Sequence, residues 1–312
     1  MKIKNICAYR IKLSDPERNP FTADNKETLE AMLPTLAFNP RAKSQPQSIG
    51  WIPPVKSNDE MVIANPNELL ITLQIEDAII PSATVKRAVE DTVVELEHER
   101  GAKVHRKERL DIKDQVIAAM LPKALSKHTR IDAVICPAND GGLILVGASS
   151  FNKAEILLNH LRATIEGVSF VPLSTHDNPS NSMSLWLADE LGYPPGVEYG
   201  GKVTLKDWSD TSSSAVIKNL DIGDIKQRIL EGLKVTRMSL HQEDLASYTL
   251  TDQLQLLSVA LNWDNHLVAD RDEIDDPVSR TKADLLFFSY AITNIINTLA
   301  PNFGGLRSHY PE

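Results

Sequence analysis

The stretch EMVIANPNELLITLQIED, residues 60–77, decides the fold class. Apolar runs rich in Ile, Val and Leu flank Asn65-Pro66-Asn67, three strong turn formers. The spacing predicts two strands folded back on each other as a hairpin. The same signal returns in IDAVICPANDGGLILVGAS, residues 131–149, where Asn139-Asp140-Gly141-Gly142 separates two apolar runs. A helix follows each hairpin. After the first, Ser82 is the expected N-cap, and Val85, Ala88, Val89, Val93 and Leu96 recur at spacings of three and four as far as Gly101. After the second, Ser150 opens a helix running to about Gly167. This order of strand, strand, helix predicts an α+β fold, with mainly antiparallel sheets and packed helices.

Upstream, MKIKNICAYRIKL alternates apolar and polar residues, which reads as a first strand and not as the apolar core of an export signal. GWIPP, residues 50–54, is a rigid corner that closes the first unit, with Trp51 as its anchor. Downstream, residues 174–215 are rich in Ser, Asp, Gly and Pro around Trp186 and Trp208. The expected organisation is a lobe over 1–173 containing a basic segment at 100–130, a loop-rich inserted module over 174–216, and a second lobe over 217–312. In that last lobe IKQRILEG reads as a helix, KVTRMSL and LQLLSVALNW as strands, and KADLLFFSYAITNIINTL as the final helix. The uncharged run LLFFSYAITNIINTLA, residues 285–300, is short of the ~20 apolar residues a membrane span needs, so a buried helix is expected and no membrane.

At 312 residues the chain exceeds the ~250–300 at which a single core stops growing, so more than one packed lobe is expected. Apolar residues are 42% and charged residues 24%, which excludes wholesale disorder. Cys7 and Cys136 are too few for a disulfide framework or a cysteine zinc site, and a reducing cytoplasm fits them.

The formal net charge is -9, yet residues 100–130 hold nine Lys or Arg against Glu108, Asp111 and Asp114. That is a local surplus of six positive charges, which leaves 24 basic and 39 acidic residues elsewhere. Such asymmetry points to a polyanionic partner, because cations that neutralise phosphates release counterions. Charge alone equally describes a solvated helix face. Arg106, Arg109 and Lys113 share one helical face, but Val116, Ile117 and Met120 claim much of it. A basic arm to about residue 110, then a new helix capped by Asp111, accommodates both patterns.

Motifs for nucleophilic or nucleotide chemistry are absent from the sequence: it has no G-x-S-x-G and no G-x-x-x-x-G-K-[ST]. Its eight histidines lack the paired helical spacing of a zinc hydrolase. The acidic run DRDEIDD, residues 270–276, offers Asp270, Asp272, Glu273, Asp275 and Asp276 as oxygen ligands for Mg²⁺. Its spacing fits no specific metal loop, so a metal-dependent DNA exonuclease is the alternative reading and a protein-binding scaffold without DNA affinity the plainest one.

Several segments together resemble one family, the bacterial recombination-associated protein RdgC. They are FNP at 38–40, GWIPP at 50–54, IIPSATVKRAVE at 79–90 and LDIKDQVIAAMLPKALSK at 110–127, then FVPLS at 170–174, LEGLKVTRMSL at 230–240 and the closing KADLLFFSYAITNII. They span nearly the whole chain in the family's order. The resemblance implies a ring-forming homodimer that encircles double-stranded DNA in a positively charged hole, without sequence preference. It implies restraint of the RecA recombinase, a nucleoid-associated place in the cytoplasm, no catalytic turnover and no cofactor. Arg100, Lys103, Arg106, Lys107, Arg109, Lys113, Lys123 and Lys127 are then the phosphate-contact candidates. Lys123 matches the basic residue of the family's Leu-Pro-basic-Ala segment. Leu125 stands where the family usually has Phe, at an expected dimer contact. A second contact, a basic-Gln-Asp-Leu stretch, corresponds to IKNL at 217–220, where Lys218 and Leu220 keep its character.

Overall fold

The computed structural model describes residues 3–15, 17, 19–138, 142–188, 191–207, 214–218, 222–264, 271 and 273–307. The elements run β1 (Cys7–Leu13), α1 (Lys26–Met32), β2 (Gln47–Ile52), β3 (Ile63–Asn65), β4 (Glu68–Ile79), α2 (Ser82–Arg100), α3 (Arg106–Met120), β5 (Leu125–Cys136) and β6 (Leu143–Val146). There follow α4 (Phe151–Thr164), β7 (Val168–Pro172), α5 (Pro179–Ala188), β8 (Val197–Lys206), β9 (Ser214–Lys218), α6 (Ile222–Leu230), β10 (Lys234–Gln242), β11 (Ala246–Thr251), β12 (Leu256–Leu261) and α7 (Pro277–Leu299). The fold is α+β with antiparallel sheets.

Both expected strand pairs form. Asn65 faces Glu68 and Ile63 faces Leu70, so Pro66 and Asn67 make the tip of the first. In the second, Cys136 faces Leu143 and Ala133 faces Val146; residues 139–141 of its tip lie outside the described residues. β1 forms where alternation predicted it, pairing β6 on one side and β7 on the other.

The chain divides into two compact units, one comprising residues 1–35, 53–72 and 131–312, the other residues 36–52 and 73–130. One of the boundaries falls inside GWIPP, between Ile52 and Pro53. In the larger unit, strand order is β4-β5-β6-β1-β7 in one sheet, with β3 paired to β4 and β4 contributing residues 68–72, and β12-β11-β10-β8-β9 in the other. Ile6, the residue before β1, and Leu256, the first of β12, exchange backbone hydrogen bonds of 2.8 and 3.1 Å, a bridge between strands of different sheets. α5 and α7 bury their apolar faces in the same core: Met183 and Trp186 from the first, Leu285, Phe288, Ile292 and Ile295 from the second. Residues 179–188 thus supply a core helix, and residues 197–206 a strand flanked on both sides by others.

The stretch Pro277–Phe303 is long and apolar enough to cross a membrane by length and composition. Its apolar side is nevertheless occupied by the protein core, and it carries an ion pair. Asp284, 2% exposed, accepts hydrogen bonds from Arg271. Burial pushes the Asp284 carboxyl up, but the hydrogen bonds it accepts, that from Arg271 foremost, hold it below the usual carboxylate range. Arg271 in turn lies 4.7 Å over the Trp263 ring.

β11 is absent from the sequence reading. ASYTLT is short, and the turn before it carries Asp244 at φ 54, a left-handed conformation that nothing in Gln242-Glu243-Asp244-Leu245 announces as strongly as Asn-Gly would.

The smaller unit is built from β2, residues 73–79 of β4, residues 125–130 of β5, and the pair α2–α3. Trp51 is buried, and its carbonyl accepts the Phe38 N–H at 2.9 Å. Gly50 makes that approach possible, since a Cβ there would run into the backbone of Ala37 and Phe38. Gly50→Ala is expected to lower stability by about 1–3 kcal/mol through overpacking. Gly192→Ala, where a Cβ meets open space, should leave it unchanged. Urea midpoints compare the two; equal midpoints would mean that residues 37 and 38 give way freely.

Candidate nucleic-acid interface

α2 buries Val85, Val89 and Val93, and α3 buries Ile112, in a small shared core that the periodicity of both helices dictates. Pro81 occupies the N-cap of α2, and Ser82, expected there, is its first helical residue without a capping bond. Pro81 fits because its fixed φ of -62 accompanies an extended ψ of 128. Gly101 ends the helix at φ 63, with its N–H donating to the Glu97 carbonyl. The Glu97 side chain then accepts the Val104 N–H at 2.9 Å, which ties the turn down before α3 begins.

α3 begins at Arg106, so Asp111 lies inside it and not at a cap. The physical reason is continuity: Arg, Lys, Glu and Leu are good helix formers, and Glu108 in the first turn suits the positive end of the helix dipole. The expected basic arm is therefore helical from residue 106. Arg106, Arg109 and Lys113 line one groove, while Val116, Ile117 and Met120 pack against the small core.

All eight phosphate-contact candidates are exposed, and all fall in the smaller unit. Arg100 ends α2, Lys103 sits in the turn, Lys123 closes the 3-10 turn Leu121–Lys123, and Lys127 lies in β5. Two of the eight are engaged internally: Arg100 pairs with Glu108, and Arg109 lies 3.7 Å from Glu90. The other six make no ion pair among the described residues. Arg106 and Lys107 occupy the positive end of α3, where a cation opposes the helix by about 0.3–1 kcal/mol. Stability of α3 therefore does not explain them. Together with the unbonded amides of the first turn they make a surface suited to anions.

The smaller unit holds 13 Lys or Arg against 10 Asp or Glu, a surplus of three positive charges. The larger unit holds 20 against 32, a deficit of twelve. Opposite signs are thus segregated by unit.

Leu125 is 77% exposed at the start of β5. Close by, Ile79, Pro81, Ala119 and Met120 line a shallow apolar groove of about 420 Å³. Lys218 lies in β9, in register with Lys202; its side chain and Leu220 lie outside the described residues.

Two residues escaped the sequence reading. Arg41 donates from Nη1 to the Gln45 carbonyl at 2.8 Å and from Nη2 to the Ala124 carbonyl at 3.4 Å, fixing the loop 41–45 against the start of β5. Its backbone N–H donates to Glu76 at 2.8 Å, which lowers the Glu76 pKa. Lys86 lines the same groove as Arg106 and Lys113, and its offset of three from Val89 could have placed it at the edge of the buried stripe of α2.

Of the acidic run 270–276, the described acids are Glu273, Asp275 and Asp276. Asp276 is the N-cap of α7, accepting the Ser279 N–H at 2.8 Å and its hydroxyl at 2.7 Å, and the Ser279 hydroxyl bond first, then the N–H, lowers its pKa. Glu273 and Asp275 are exposed, and Asp270 and Asp272 lie outside the described residues. Among the described residues no cluster of three His, Cys, Asp or Glu could hold a metal ion.

A family model described as "Putative exonuclease, RdgC" matches residues 1–306. The recombination-associated protein RdgC of Shewanella halifaxensis (strain HAW-EB4) is 29% identical over 312 residues, covering 98% of this chain and 99% of that protein. Proteins of the same name from Proteus mirabilis (strain HI4320) and Tolumonas auensis are 28% and 24% identical, over 97% and 99% of this chain and 98% and 100% of theirs. With the match running from the first strand through the last helix, the chain belongs to the RdgC family.

Proposed function

We propose that this protein is a recombination-associated DNA-binding protein that works without catalytic turnover. Two copies close into a ring around double-stranded DNA, hold it by phosphate contacts independent of sequence, and so restrain the RecA recombinase in the cytoplasm, at the nucleoid. The observation that carries the reading is the exposed cationic surface of α3 and its neighbours, six of whose cations make no ion pair among the described residues. The names of the full-length relatives support the association with recombination. Exposed Leu125 supports a contact between copies, because a large aliphatic side chain left in water gains about 1.5–3 kcal/mol when covered. The acidic character of the larger unit keeps DNA on the basic one.

Band shifts on unrelated duplexes at several salt concentrations test the reading. Six free cations predict a slope of log affinity against log salt of roughly -5 per subunit engaged. A flat plot contradicts phosphate binding, and failure to retain DNA even at low salt supports a protein-binding scaffold instead.

The second reading is a metal-dependent exonuclease: the family description names an exonuclease, and the acidic run 270–276 supplies the argument for a metal. End-labelled duplex incubated with the pure protein and Mg²⁺ or Mn²⁺ is expected to stay full length. Shortening that Glu273→Ala and Asp275→Ala abolish would replace the non-enzymatic reading.

A further inference from the structure

The surface between α2 and α3 is a groove of about 690 Å³, within the usual size range of ligand sites. Its floor is aliphatic, formed by Ile80, Ala83, Val85, Val89, Leu110 and Ile117. Every charged residue lining it is a cation: Lys86 on α2, and Arg106, Arg109 and Lys113 on α3. Arg109 is held near Glu90, whereas Lys86, Arg106 and Lys113 make no ion pair among the described residues.

Duplex DNA accounts for the rim and not for the floor. Phosphate contacts use cations and polar donors, and the lining holds no aromatic side chain on which a base could stack. Leu110 is 55% exposed in the middle of this cationic frame. The core beneath it is thin, four buried residues in all, so a third helix laid along the groove would extend it by ordinary helix packing.

We infer that the groove docks a short amphipathic acidic helix of a partner protein. The apolar stripe of that helix covers Leu110, Ala83 and Ile117, and its flanking carboxylates pair with Lys86, Arg106 and Lys113. Charge complementarity selects the partner: a neutral or basic helix would desolvate three cations and leave them unpaired. The inference does not rest on the DNA reading, because it needs the floor as well as the charges.

Fluorescence anisotropy tests it with the full-length protein and a labelled peptide of about 16 residues, with Leu at spacings of three and four and Glu or Gln elsewhere. One control peptide has Ser in place of each Leu, another has Lys in place of each Glu. The acidic Leu peptide is expected to bind, and both controls at least about tenfold more weakly. Leu110→Ser should weaken the peptide by at least about tenfold while duplex affinity stays within about twofold, which also reports that the variant is folded. Lys86→Glu, on the other wall, should weaken the peptide by a similar factor. The inference is overturned if the acidic Leu peptide fails to bind or the Ser control binds equally well. It is also overturned if Leu110→Ser leaves peptide binding unchanged, or if it weakens peptide and DNA alike, as expected of a patch that takes any polyanion.

Discussion

Exchange of Arg106, Lys107 and Lys113 together for Glu is expected to weaken duplex binding by about a thousandfold at low salt. The slope of log affinity against log salt should become shallower by about 3 for each subunit on the DNA. The three residues are exposed, lie on α3 and make no ion pair among the described residues. Arg109 is left in place because its change would also disturb Glu90. Two of the three new carboxylates enter the first turn of α3, where acids favour the helix dipole. Lost binding is therefore not lost folding, and an unshifted thermal midpoint checks this. A variant that keeps the native slope would remove α3 from the DNA surface.

Leu125→Glu is expected to raise the dimer dissociation constant by at least about a hundredfold, so that light scattering at micromolar concentration finds single chains. In a two-fold dimer each substitution is met twice, and a carboxylate buried in an apolar contact is costly to desolvate. The chain itself should fold as before, because Leu125 is 77% exposed within it. DNA should dissociate faster although no cation has changed. An undiminished dimer would show that Leu125 is not at the contact.

Much of this fold is legible in short-range signals. Asn65-Pro66-Asn67 announces a hairpin, and the spacing of Val85, Val89 and Val93 announces a helix, because turn geometry and burial act over a few residues. Helix starts are harder to read. Ser82 and Asp111 are both good caps by residue type, yet one follows a proline that takes the role and the other sits in a run of helix formers with nothing to stop it. The candidate site is half legible. Its charge can be counted along the chain, but whether a cation is available cannot. Arg41, Arg100 and Arg109 all add to the count while their donors are turned toward a carbonyl or an acid of the same unit. Lys86 joins Arg106 and Lys113 only because two helices meet, a contact that follows from tertiary packing.

The turn between α2 and α3 bears on how binding is driven. Gly101 locks it, Glu97 holds the Val104 N–H, and the Arg100–Glu108 pair spans it, so the backbone presenting the cations is ordered before any ligand arrives. Little main-chain entropy remains to be lost on association. What remains is rotamer entropy, roughly 0.5–1.5 kcal/mol for each long side chain brought to rest. A ligand that attracts these lysines and arginines without immobilising them loses the least. A uniform polyanion, whose next phosphate serves as well as the last, is a ligand of that kind.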